Sequence, residues 1–191
     1  MTQGPTTLLT PKFLTKDMAE VAVYTAIETI LDQPLIDQSG FTQTRLNHYL
    51  QPKRKQCHVV VVVPGMVDHV AEDYPNWPNY PLQPMLLYEV SNLDGAEKLE
   101  APFDEIARCK ALQLWTDRND DRTDCIPHLL FRGDTPYWGG VKRRGIVVTC
   151  SGVQPYIDKL ISGMVADLLV AIAHAAWKAS PDCTNGADFL Y

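Results

Sequence analysis

At 191 residues and 21.4 kDa the chain is expected to form one domain, or one domain with sizeable insertions, rather than two full domains, given roughly 100–200 residues per domain. Hydrophobic residues make up 46% and charged residues 21%, which excludes disordered, collagen-like and low-complexity classes. Seventeen Lys+Arg against 23 Asp+Glu give a net charge of -6, the wrong sign for a protein that neutralises nucleic-acid phosphates.

In chain order, Met1 to Pro5 has neither a basic n-region nor an apolar h-region, so it does not read as a secretory signal and a cytoplasmic protein is expected. Residues 1–12, with two prolines and four threonines, read as a tail. Thr15 then caps a first helix in which Val23, Ile27, Ile30 and Leu31 recur at helical spacing, ended by Pro34. After a polar stretch, Val59 to Val63 is a wholly β-branched run. It suits a strand buried on both faces, stopping at Pro64-Gly65. Residues 64–84 carry five prolines with Trp77 and Tyr80 among them, a loop insertion with aromatic plugs.

Met85 to Val90 resumes as a strand, and Asn92-Leu93-Asp94-Gly95 turns the chain. A second helix opens at Pro102, with Asp104 and Glu105 where the dipole prefers anions and Phe103, Ile106, Ala107, Ala111 and Leu114 as its apolar face. Asp117 to Asp124 is a solvated charged loop. His128 to Arg132, the Gly139-Gly140 pair and the strand from Gly145 to Cys150 read as a β-hairpin. The last helix starts near Pro155, with Ile157, Leu160, Ile161, Met164, Leu168 and Ile172 as its stripe; Val165, Leu169 and His174 lie off it and supply surface for a homo-oligomer. Residues 180–191 form a second tail around a single domain spanning 13–179. The element order describes an α+β domain with a mostly antiparallel sheet covered by helices. The longest apolar run falls far short of the roughly 20 residues that span a bilayer, so no membrane insertion is expected. Five scattered cysteines read as reduced, mostly buried thiols.

Three stretches together resemble the GlcG/HbpS-like family of haem-binding or "haem-degrading" domains, related to the C-terminal domain of some corrinoid adenosyltransferases. Leu86 to Ala96 is similar to its strand followed by Asp-Gly-Ala, and Ile106-Ala107-Arg108-Cys109-Lys110-Ala111 to its Ile-Ala-Arg-x-Lys-Ala helix. Gly145 to Gly152 followed by Asp158 is similar to its strand end and the aspartate early in the last helix. Three positions depart from the pattern. Pro64-Gly65 replaces an Asp-x-x-Gly turn, Asn92 stands where an arginine is expected, and Gly139-Gly140-Val141-Lys142 stands for Gly-Gly-x-Pro. The resemblance implies a profilin-like fold with a five-stranded antiparallel sheet flanked by helices, oligomeric assembly, and Arg108 and Lys110 on a helix against the pocket.

The residues themselves offer two readings of each candidate site. Ser151-Gly152 precedes a helix start whose free N–H groups suit a carboxylate, with Lys142, Arg143 and Arg144 at hand; alternatively it is a capped helix beside a solvated basic hairpin. Lys110 is a desolvated base or imine-forming amine, or with Arg108 a surface cation with a buried stem. Trp77, Tyr80, Tyr137 and Trp138 wall a ligand cleft or plug long loops. Cys125-x-x-His128 is a lone pair, short of the four ligands zinc takes, so no metal is assigned. Cys57 and His58, adjacent on a strand, point to opposite faces and do not grip one ion. The expected binding set is Arg108, Lys110, Gly139, Gly140, Arg143, Ser151 and Gly152. The expected ligand is haem, another tetrapyrrole or a small carboxylate, with no nucleic acid or membrane partner. Two alternatives stand beside this binding protein: an enzyme acting on a small hydroxy- or oxo-acid, and a structural interaction module.

Overall fold

The computed structural model describes residues 8–32, 49–67, 81–119 and 126–186. The architecture grows from β2, Cys57–Val67, because its alternating valines must bury both faces. Val59, Val61 and Val63 point into one core and Val60 and Val62 into another. At roughly 1.5–3 kcal/mol per buried aliphatic side chain, this strand is the main apolar investment of the sheet. It pairs antiparallel with β3, Gln83–Asn92, on one side and with β5, Ile146–Ser151, on the other; β4, Gly140–Arg143, pairs with β5. β1, Leu8–Leu9, pairs with Met66 and Val67 and completes a five-stranded antiparallel sheet.

Helices cover both faces, as the α+β reading requires. α1, Lys16–Ile27, starts where the Met18 N–H donates to Thr15 Oγ1 at 3.2 Å, and continues as one turn of π-helix over Glu28–Asp32. α1 and α3, Pro155–Ala179, pack on the Val59, Val61 and Val63 face. α2, Phe103–Trp115, lays Ala107, Ala111 and Leu114 on Val60, Val62 and Val147 on the other. A short α4, Pro181–Thr184, follows, and Lys12 pairs with its Asp182 at 2.7 Å.

Several expectations are corrected. β2 does not stop at Pro64-Gly65: Pro64 pairs with Pro84 beyond the span that β5 covers, His58–Val62, and a strand left open on one side tolerates a residue with no N–H. A register shift between Val61 and Val62 leaves Leu87 as the extra residue of β3. His128 to Arg132 is not a strand; Pro127–Leu129 is a 3-10 turn, and the hairpin is β4 with β5 across Arg144-Gly145. The chain enters the sheet at Leu8, earlier than the expected boundary at 13. The stripe of α3 is also rotated: Ile157, Ile161, Val165 and Leu169 are buried, whereas Leu160 is 40% exposed and Met164 and Leu168 are half-buried. Val165 and Leu169 are therefore core, not spare surface for assembly. With 25 residues α3 is, by length and composition, long and apolar enough to cross a membrane, contrary to the expectation from runs alone; here its core stripe packs on the sheet. Trp77, Tyr80 and Cys125 lie outside the described residues.

Candidate functional site

A cleft of about 550 Å³ opens where the start of α2, the end of β5 and the start of α3 meet. Each wall is tied down by a polar side chain that gives up its own solvation to hold a loop. Gln56, 5% exposed, donates from Nε2 to the carbonyls of Leu93 (3.1 Å) and Lys98 (3.3 Å) and accepts from the Glu100 N–H at 2.8 Å. It thereby fixes the loop that delivers Pro102 and Phe103. Gln113, 1% exposed, donates to Thr135 O at 3.1 Å and anchors the segment carrying Tyr137 and Trp138. Gln154 Oε1 accepts from the Lys53 N–H at 2.9 Å and the Tyr156 hydroxyl donates to Leu50 O at 3.2 Å, which ties residues 50–54 to the start of α3. Arg54 comes with them, stacked on Phe103 at 5.7 Å and paired with Glu100 at 3.4 Å.

The floor is charged. Lys110 lies one helical turn past Ile106 and two past Phe103, so α2 presents all three to the cleft. Only 1% exposed, its ammonium donates to Cys150 O at 2.8 Å and to Asp158 Oδ2 at 3.4 Å. An ammonium has three N–H donors, and among the described residues the third has no acceptor. Asp158, on the first turn of α3, is 4% exposed; its Oδ1 accepts from the Val153 N–H at 3.1 Å. Burial pushes its carboxyl up from 3.8 to about 6, against the pull of Lys110 in the other direction.

The expected set is thus divided. Lys110, Ser151 and Gly152 line the cleft. Gly139 backs it: at φ +120, a Cβ there would sit 2.6 Å from Asp158 Cβ. Gly140 is packing: a Cβ there would lie 2.6 Å from Leu114 Cδ1 and 2.7 Å from Thr149 Cγ2. Arg108 is elsewhere, held by Glu89 at 2.8 Å and Asp104 at 3.0 Å, and Glu89 in turn lies 3.4 Å from the buried His58. Arg143 is paired with Asp167 in a separate depression beside Arg144 and His174. The proposed neighbour of Ser151-Gly152 is therefore not the basic hairpin. The helix start also has an anion of its own, since Asp158 takes the Val153 N–H. Gly152 has φ +135, and a Cβ would lie 2.8 Å from Cys57 Cα, so the turn itself demands glycine. Tyr137 and Trp138 do line the cleft.

Sequence reasoning missed Arg54, Gln56 and Gln113 as parts of the site, and their pairing with distant carbonyls and carboxylates left no local signal. Asp158 was visible only through the family resemblance. Among the described residues no group of three or more His, Cys, Asp or Glu side chains is placed to hold a metal ion. Cys57 and Cys150 are free, buried thiols, and Cys109 and Cys183 are free and half-buried. Comparison with protein-family models, with curated proteins and with solved structures gives no match for this chain.

Proposed function

We propose that this chain is a small-molecule binding protein that takes a carboxylate-bearing ligand with a flat apolar body in the cleft above Lys110. One observation carries the reading. A lysine that is 1% exposed keeps an N–H without an acceptor among the described residues at the floor of an open cleft, and a buried donor left unmade costs about 1–3 kcal/mol. A ligand oxygen removes that cost. Tyr137 and Trp138 supply apolar walls, and Arg54, half exposed at the rim, supplies a second cation. The GlcG/HbpS-like resemblance is consistent with such a pocket.

The lining fits haem less well than a smaller acid. Among the described residues lining the cleft there is no histidine or methionine, and Tyr137 is the one side chain of a kind that ligates haem iron. The test is thermal unfolding with and without an aromatic hydroxy acid such as phenyllactate. The expected result is a rise in melting temperature that follows ligand concentration and is abolished in Lys110→Met; equal shifts in both proteins would reject the cleft. Haemin absorbance is measured in parallel. A Soret shift lost in Tyr137→Phe would restore haem as the ligand.

A further inference from the structure

We infer that Lys110 is an imine-forming amine, so that among carboxylate ligands the cleft takes those with an adjacent ketone or aldehyde carbonyl, the 2-oxo acids, and binds them covalently and reversibly. The inference rests on the binding reading above and deepens it. Three features of the geometry lead to it. The amine is only 1% exposed at the foot of the cleft, which slows hydrolysis of an imine formed there. A carboxylate, Asp158 Oδ2, stands 3.4 Å from Nζ, where it can take the ammonium proton. The partner on the other side, Cys150 O at 2.8 Å, is a fixed backbone acceptor that holds Nζ in place through the change. A purely structural ion pair needs no open cleft above it, and this pair has one.

The step balances within the site. Asp158 removes a proton from the Lys110 ammonium, and the freed Nζ lone pair attacks the carbonyl carbon. The C–N bond forms as the C=O π pair moves to oxygen. Asp158 returns its proton to that oxygen and takes the one now surplus on Nζ. Protonating the hydroxyl once more lets it leave as water while the nitrogen pair closes the C=N bond. The result is a protonated imine and ionised Asp158, with no external oxidant or reductant. Arg54, whose pair with Glu100 is solvent-exposed on both sides, is the other cation among the described lining residues and takes the ligand carboxylate. The burial that raises the Asp158 carboxyl to about 6 keeps it a usable proton carrier near neutral pH.

The experiment incubates the intact protein with phenylpyruvate, reduces with cyanoborohydride, and maps the adduct by peptide mass spectrometry; phenyllactate, the same shape without the carbonyl, reports binding alone. The expected result is one adduct, on the peptide containing Lys110, competed away by phenyllactate and absent from Lys110→Arg, which keeps the charge and cannot condense. Asp158→Asn should slow trapping about 100-fold, the usual order for losing a positioned proton carrier. Phenyllactate binding with no trapped adduct, or an adduct spread over surface lysines and unchanged in Lys110→Arg, overturns the imine and leaves the binding reading intact. If neither acid binds, both readings fall.

Discussion

Gly152 shows how a residue with two functional readings is decided by its surroundings. At φ +135 with Cys57 Cα and the Phe103 ring where a side chain would go, it is required by the turn between β5 and α3. Gly152→Val should therefore destabilise the protein by roughly 2–4 kcal/mol through strain and overpacking, equally with and without ligand, as read by denaturant unfolding. Asp158 gives the opposite kind of prediction, one that depends on pH. Its carboxyl ionises near 3.8 when unfolded and at about 6 when folded. Between those values the native state binds the extra proton, so stability from this group is fully present below about pH 4 and is lost as pH rises through 6. Two units correspond to about 3 kcal/mol. Asparagine mimics the protonated form, so the stability of Asp158→Asn relative to wild type should rise by about that amount between pH 4 and pH 7; a difference that is flat with pH would contradict the burial described. His58, whose basicity burial lowers, works in the other direction, and comparing the two proteins cancels its share.

At the scale of elements, what was legible in the sequence is what local chemistry dictates. The valine run, the Thr15 cap and Pro155 at the first position of α3 each act within a few residues, and each stands where expected. What was not legible depends on partners far along the chain. Nothing near Leu8 announces that it will meet Val67, and nothing near Arg143 announces Asp167. The stripe of α3 failed for a different reason: Ile157, Ile161, Val165 and Leu169 are spaced by four, and in a helix rich in apolar residues on every side periodicity alone does not choose the core row. The corrected row has a direct check. Leu169→Ala should cost about 2–5 kcal/mol, whereas Leu160→Ala, at a position 40% exposed, should stay within roughly 1 kcal/mol. Equal costs in chemical denaturation would return the helix to its expected orientation.

For the whole molecule, a layered sheet between helices leaves one end of β5 open between the starts of α2 and α3, and the cleft is built there. Three glutamines, Gln56, Gln113 and Gln154, connect that opening to loops from three parts of the chain. Lys110, Ser151 and Gly152 line the cleft, positions that follow from the helix and strand ends. The basic residues were misplaced because a charge run carries no information about which carboxylate each cation will meet. Arg143 and Arg108 are each committed to an ion pair outside the cleft, so Arg143→Ala should leave ligand binding within about twofold, as expected for a surface pair. The most direct measurement of the central claim is calorimetric titration of phenyllactate into wild type, Lys110→Met and Arg143→Ala. The proposed function predicts binding in wild type and Arg143→Ala and a loss of about tenfold or more in Lys110→Met, the order of a charge-assisted hydrogen bond. Unchanged affinity in Lys110→Met, or a loss confined to Arg143→Ala, would contradict it.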